Sequence, residues 1–76
     1  MSNLLEGHLR AAGVNDVDNA TKILLNNNIK CFEHVKEKVP DYLVLNEKKK
    51  ILQNIGFSED DATIIIDYLS FEFREI

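Results

Sequence analysis

A single proline and three glycines punctuate this chain of 76 residues, and between them the apolar side chains recur mostly at spacings of three and four. That period keeps one face of a helix apolar, so the chain is predicted to be all-α. From Asn3 to about Ala12, residues Leu4, Leu5 and Leu9 fall on one side of a helix that Ser2 or Asn3 can cap and Gly13 can end. From about Leu25 to Lys38, residues Cys31, Phe32, Val35 and Val39 form a second apolar stripe, with Glu33, Lys36 and Glu37 facing outward. Pro40 stops that helix. "DYLVL" then reads as a short linker whose Tyr42, Leu43 and Leu45 tuck against the core. Asn46 is the expected cap of a helix over Glu47 to Ile55 that carries Ile51, Leu52 and Ile55 and ends at Gly56. "TIII", ahead of the final segment "YLSFEFREI", is the one strand-like run.

At this length a fold buries only about 60% of the surface its unfolded chain exposes, so residues 1–76 are one domain with little room for an enclosed active site. A content of 45% hydrophobic and 29% charged residues is that of a globular chain, which is therefore expected to fold. No apolar run reaches the roughly 18 to 20 residues that cross a bilayer, and "MSNLLEGHLR" lacks the features of a secretory signal, so a cytoplasmic protein is expected. The single cysteine, Cys31, suits a reducing compartment and a place in the core. A net charge of −4 argues against a nucleic-acid partner and is compatible with a basic one. The lysines of "EKKK", residues 47–50, would fan around a helix as solvated groups. His8 and His34 stand apart from any nucleophile, no glycine-rich phosphate loop is present, and Cys31 has no partners at metal-ligand spacing. No catalytic residue is therefore assigned.

Gly13 and Gly56 lie 43 residues apart, and the same offset superposes Leu9 on Leu52, Val14 on Phe57, Asp16 on Glu59, Asp18 on Asp61 and Ile23 on Ile66. Sliding by one residue aligns "DNAT" with "DDAT" instead. The chain reads as two copies of one unit.

"DVDNATKILLNN", residues 16–27, and "IDYLSF", residues 66–71, resemble parts of the EF-hand, a helix–loop–helix calcium unit that works in pairs. The resemblance implies one pair of hands, about 3–39 and about 46–76: four helices with a minimal two-stranded antiparallel ladder between Ile23 and Ile66. Both loops depart from the calcium pattern. The first has Ala20, Thr21, Leu24 and Asn27 at its fifth, sixth, ninth and twelfth positions, and the second has Ile64 for the glycine and Ser70 for the closing glutamate. Neither loop is expected to hold calcium, and no cofactor is expected. A lengthened second loop from Glu59 to Glu72 would make the chain a calcium sensor or buffer instead. Without ancestry, Asp16 and Asp18 are acids placed against the dipole of a following helix.

The resemblance extends to a single lobe of calmodulin or of a myosin light chain. It implies a non-enzymatic module, monomeric when free, that grips the basic amphipathic IQ-type helix of an unconventional, class I, myosin heavy chain without calcium and is cytoskeletal through that partner. Phe32, Val35, Ile51, Leu52, Ile55 and Phe71 are the candidate groove, and Glu33 and Glu37 its acidic rim. A second family competes. "LLEGHLRAAGV", "NNI" and "LQNIGF" resemble landmarks of the sterile alpha motif, a five-helix protein-interaction domain of similar length, although the interval from Asn28 to Gly56 is long for its pattern.

Overall fold

The computed structural model describes residues 4–71, and among them it contains five helices and no strand. They are α1 (Leu4–Ala12), α2 (Val17–Asn26), α3 (Phe32–Lys38), α4 (Leu45–Ile55) and α5 (Glu59–Phe71). The proposed caps Ser2 and Asn3, and Glu72 as the end of a lengthened loop, lie outside the described residues.

Three of the helices stop in the same way. After α1, Gly13 adopts φ +94°, its N–H donates to the Arg10 carbonyl, and the Val14 N–H reaches back five residues to Leu9. After α2, Asn28 adopts φ +63°, its N–H donates to Leu25, and the Ile29 N–H reaches Leu24. After α4, Gly56 adopts φ +128°, with Gly56 N–H on Gln53 and Phe57 N–H on Leu52. Each is a Schellman turn, in which a left-handed residue lets the last carbonyls of the helix find donors. Each also closes an apolar pair, Leu9 with Val14, Leu24 with Ile29 and Leu52 with Phe57, and all six side chains are buried. The turns therefore place core residues as well as ending helices.

Two helices also start alike. Asp16 accepts the Asn19 N–H at 3.1 Å ahead of α2, and Ser58 Oγ accepts the Asp61 N–H at 3.2 Å ahead of α5. Two residues further on, Thr21 and Thr63 bond back to the carbonyls of Val17 and Glu59. The buried Ala20 and Ala62 precede those threonines. This is the "DNAT" and "DDAT" match in physical form: a cap satisfies an orphan N–H, and a small residue lets the first turn sit against the core.

Several sequence expectations are corrected here. Residues 17–26 are helical where the first EF-hand loop was placed, and residues 59–71 are helical where the second was, because Asp16 and Ser58 start helices at those points. Ile23 and Ile66 accordingly lie in α2 and α5 and form no ladder. The helix expected from Leu25 to Lys38 is two helices, broken where Asn28 turns left-handed. The helix expected from Glu47 begins at Leu45, so Asn46 lies inside it and does not cap it. "TIII" is helical because Ile65 and Ile66 both reach the core from α5, and burial overrides β propensity. Cys31 is half-buried at the start of α3 rather than enclosed.

The core gathers Leu5 and Leu9 of α1, Leu24 of α2, Phe32 and Val35 of α3, Leu52 of α4 and Ala62, Ile65, Ile66 and Leu69 of α5. α1 packs on α2, α3 and α5, and α4 packs on α5, so α5 bridges the first and second halves of the chain. Asn27 ties the halves together at another point: its side-chain amide donates to the Ile23 carbonyl at 2.8 Å and to the Ile55 carbonyl at 3.3 Å.

Candidate functional site

The candidate groove residues do not come together as one surface. Phe32, Val35 and Leu52 are at most 1% exposed and belong to the core, and Ile51 and Ile55 pack partly buried against it. Phe71 is 69% exposed at the end of α5. Glu33 and Glu37 are exposed on α3, where with Lys36, Pro40 and Asp41 they line a shallow recess of mixed charge.

Two apolar surfaces stand out among the described residues beyond the core. The first follows from the sequence of α5, which is apolar on more than one face. Ala62, Ile65, Ile66 and Leu69 point inward, while Ile64, Tyr68 and Phe71, spaced i, i+4, i+7, form a second stripe beside them. This stripe meets Ala11 and Ala12 of α1 across a groove of about 350 Å³ that Asp67 also lines. Tyr68 is fixed in place. Its hydroxyl shares a 2.6 Å hydrogen bond with His8 Nδ1, and its ring stands edge-on to Phe32, with centroids 5.3 Å apart. His8 stacks on the same Phe32 at 5.1 Å, so one wall of the groove is tied to the core by three rings.

The second surface is the connection from α3 to α4. Val39 is buried, Pro40 accepts the Leu43 N–H in a turn, and the chain then exposes Tyr42 (86%), Val44 and Leu45. The sequence pattern predicts Tyr42, Leu43 and Leu45 tucked inward. Leu43 is only half-buried, and Tyr42 and Leu45 face solvent.

The lysines behind this loop are less free than expected. Lys48 approaches Asp41 at 3.9 Å and Lys49 approaches Glu59 at 3.7 Å, with both lysine stems laid along the protein and both carboxylates mostly exposed. Pairs of this kind contribute little stability, on the order of 0 to 1 kcal/mol. Among the described residues no three His, Cys, Asp or Glu side chains are grouped where they could share a metal ion. No helix among them is long and apolar enough to cross a membrane.

No family model, curated protein or solved structure matches the chain. Neither apolar surface was assigned from the sequence. The signal for the first was the apolar run over Ile64 to Phe71, too dense for one helix face. For the second, the sequence shows apolar residues at Tyr42 and Leu45 but carries no signal that they face solvent.

Proposed function

We propose that the chain is a non-enzymatic protein-interaction domain of the sterile alpha motif type, which docks another small helical domain through the α3–α4 loop. The observation that carries this reading is Tyr42, Val44 and Leu45, three large apolar side chains held out to solvent within four residues where α3 connects to α4. Large apolar side chains clustered on a short ordered loop have no packing role within the chain, and association is the usual reason to expose them. The five-helix order supports the reading. So do the three stretches resembling that family: "LLEGHLRAAGV" runs through α1 into its Schellman turn, "NNI" is the turn after α2, and "LQNIGF" is the turn after α4.

The light-chain reading has less support. An EF-hand lobe needs loops where α2 and α5 run, and Phe32, Val35 and Leu52 would have to leave the core to meet an IQ-type helix. Sedimentation velocity at rising concentration, alone and with candidate helical domains, tests the proposal. A complex that Val44→Glu abolishes without lowering the thermal midpoint is the expected result. A chain that stays monomeric with every such domain, yet binds an IQ-type peptide in chelator with amide shifts in α2 and α4, would return the light-chain reading. A calcium-dependent rise in the thermal midpoint would instead favour the sensor.

A further inference from the structure

We infer that the groove between α1 and α5 is a second docking site and that its occupant is a basic amphipathic helix. This inference rests on the reading of the chain as an interaction domain and adds to it a surface and a partner chemistry. The groove has the form a helix needs. Ile64, Tyr68 and Phe71 make an apolar line about 10 Å long, which matches one face of two helical turns in a partner. The opposite wall is made of Ala11 and Ala12, so two helix backbones can approach closely there.

Gly7 lies one turn before Ala11 on α1. A Cβ at that position would meet nothing within 4 Å. A glycine inside a helix costs about 0.5 to 1 kcal/mol relative to alanine, and among the described residues it leaves open space where a partner's backbone can come close to α1.

Charge selects among possible occupants. Asp67 lines the groove, Asp60 lies seven residues earlier on the same face of α5, both are exposed, and among the described residues that line the groove none is basic. A helix with lysine or arginine along its edges would meet complementary charge. A second copy of this chain would present Tyr42, Val44 and Leu45 beside Glu47 and Asp41, the latter paired with Lys48, an edge of mixed charge that complements the groove less well than a basic helix does. An anionic membrane surface is disfavoured on the same ground. The wall held by the His8–Tyr68 hydrogen bond is already in place, so binding need not order it.

The test uses the full chain, labelled with nitrogen-15, and two synthetic amphipathic helices with identical leucines, one edged with lysine and the other with glutamate. The lysine peptide should bind and shift amides in α1 and α5. Phe71→Ala should weaken it by about tenfold or more, as loss of an exposed anchor, while leaving the thermal midpoint near that of the wild type. Asp67→Asn should weaken it by roughly threefold and flatten its salt dependence. Equal binding of the glutamate peptide, shifts confined to the α3–α4 loop, or no binding of either peptide would overturn the inference. A complex lost on Val44→Glu would persist in each of those cases if the proposed function is right, so the two failures can be told apart.

Discussion

The corner between α1 and α2 and the corner between α4 and α5 use nearly the same chemistry in different surroundings. Each runs from a buried leucine through a left-handed glycine to a buried apolar residue, then to a capping side chain, a buried alanine and a threonine bonded back to the backbone. The first corner has Val14, Asn15 and Asp16 between its glycine and its second helix, whereas the second has only Phe57 and Ser58. Nothing lies within 4 Å of a Cβ built on Gly13, but one built on Gly56 would sit 3.4 Å from Cγ2 of Ile23 in α2. The second corner is further held by the Asn27 amide on the Ile55 carbonyl. Similar local signals thus produce one corner facing open space and one wedged against another helix. The internal repeat in the sequence marks a repeated way of turning, and it carries no requirement for a duplicated metal-binding unit.

The largest expected effect tests the shared part of the two corners. Leu9 and Leu52 are both fully buried and both begin the apolar pair that closes a Schellman turn. Leu9→Ala and Leu52→Ala should each destabilise by about 2 to 5 kcal/mol, read from urea midpoints. If one costs less than half as much as the other, the corners are alike in sequence but not in energetic weight.

The glycines should separate the corners. Gly13→Ala forces an L side chain to positive φ in open space and should cost about 1 kcal/mol. Gly56→Ala meets a φ farther from the left-handed well and also the Ile23 side chain, so about 2 to 3 kcal/mol is expected. Asn28→Ala belongs with Gly13→Ala, since Asn28 holds φ +63° at the end of α2. Thermal denaturation of the three variants ranks them, and equal losses at Gly13 and Gly56 would show that the contact with Ile23 carries no weight.

The helical character of the chain was legible because Leu5, Leu9, Phe32 and Val35 keep the helix period, and because Gly13, Pro40 and Gly56 mark ends that local sterics enforce. Other boundaries were not legible. "NNN" reads as composition until Asn26 is seen to end α2, Asn27 to bridge to Ile55 and Asn28 to take the left-handed turn. The run over Ile64 to Ile66 has β propensity, and only the packing of α5 against both halves of the chain makes it helical. The exposed surfaces were hidden for a related reason. Apolar periodicity cannot tell the buried Phe32 from the exposed Phe71, because the choice depends on which helix covers which face.

Removing the caps tests the start of each second helix. Asp16→Ala and Ser58→Ala should each cost about 1 kcal/mol, since each orphans an N–H that the side chain now satisfies. Denaturant midpoints measure both, and a loss confined to Asp16→Ala would mean that the Ser58 contact is incidental.

The smallest effect comes from exchanging the caps. Asp16→Ser keeps an acceptor for the Asn19 N–H and should alter stability by at most about 0.5 kcal/mol. Ser58→Asp also keeps an acceptor and gains from the positive end of the α5 dipole, but it places the new carboxylate beside Glu59, Asp60 and Asp61 in the first turn. Attraction to the helix end and repulsion from three neighbouring acids oppose each other, so the net change at low salt should be near zero or slightly destabilising, by a few tenths of a kcal/mol. Added salt should then act on the exchanged variants differently. Repulsion between exposed acids is screened within a Debye length of about 8 Å at physiological ionic strength, so Ser58→Asp should gain on the wild type as sodium chloride is raised. Asp16→Ser, with only Asp18 acidic in the first turn of α2, should show little such drift. Thermal midpoints across a salt series read both trends. A matching drift in the two variants would mean that the acids of α5 do not act on its cap, and that the corners differ only in what surrounds their glycines.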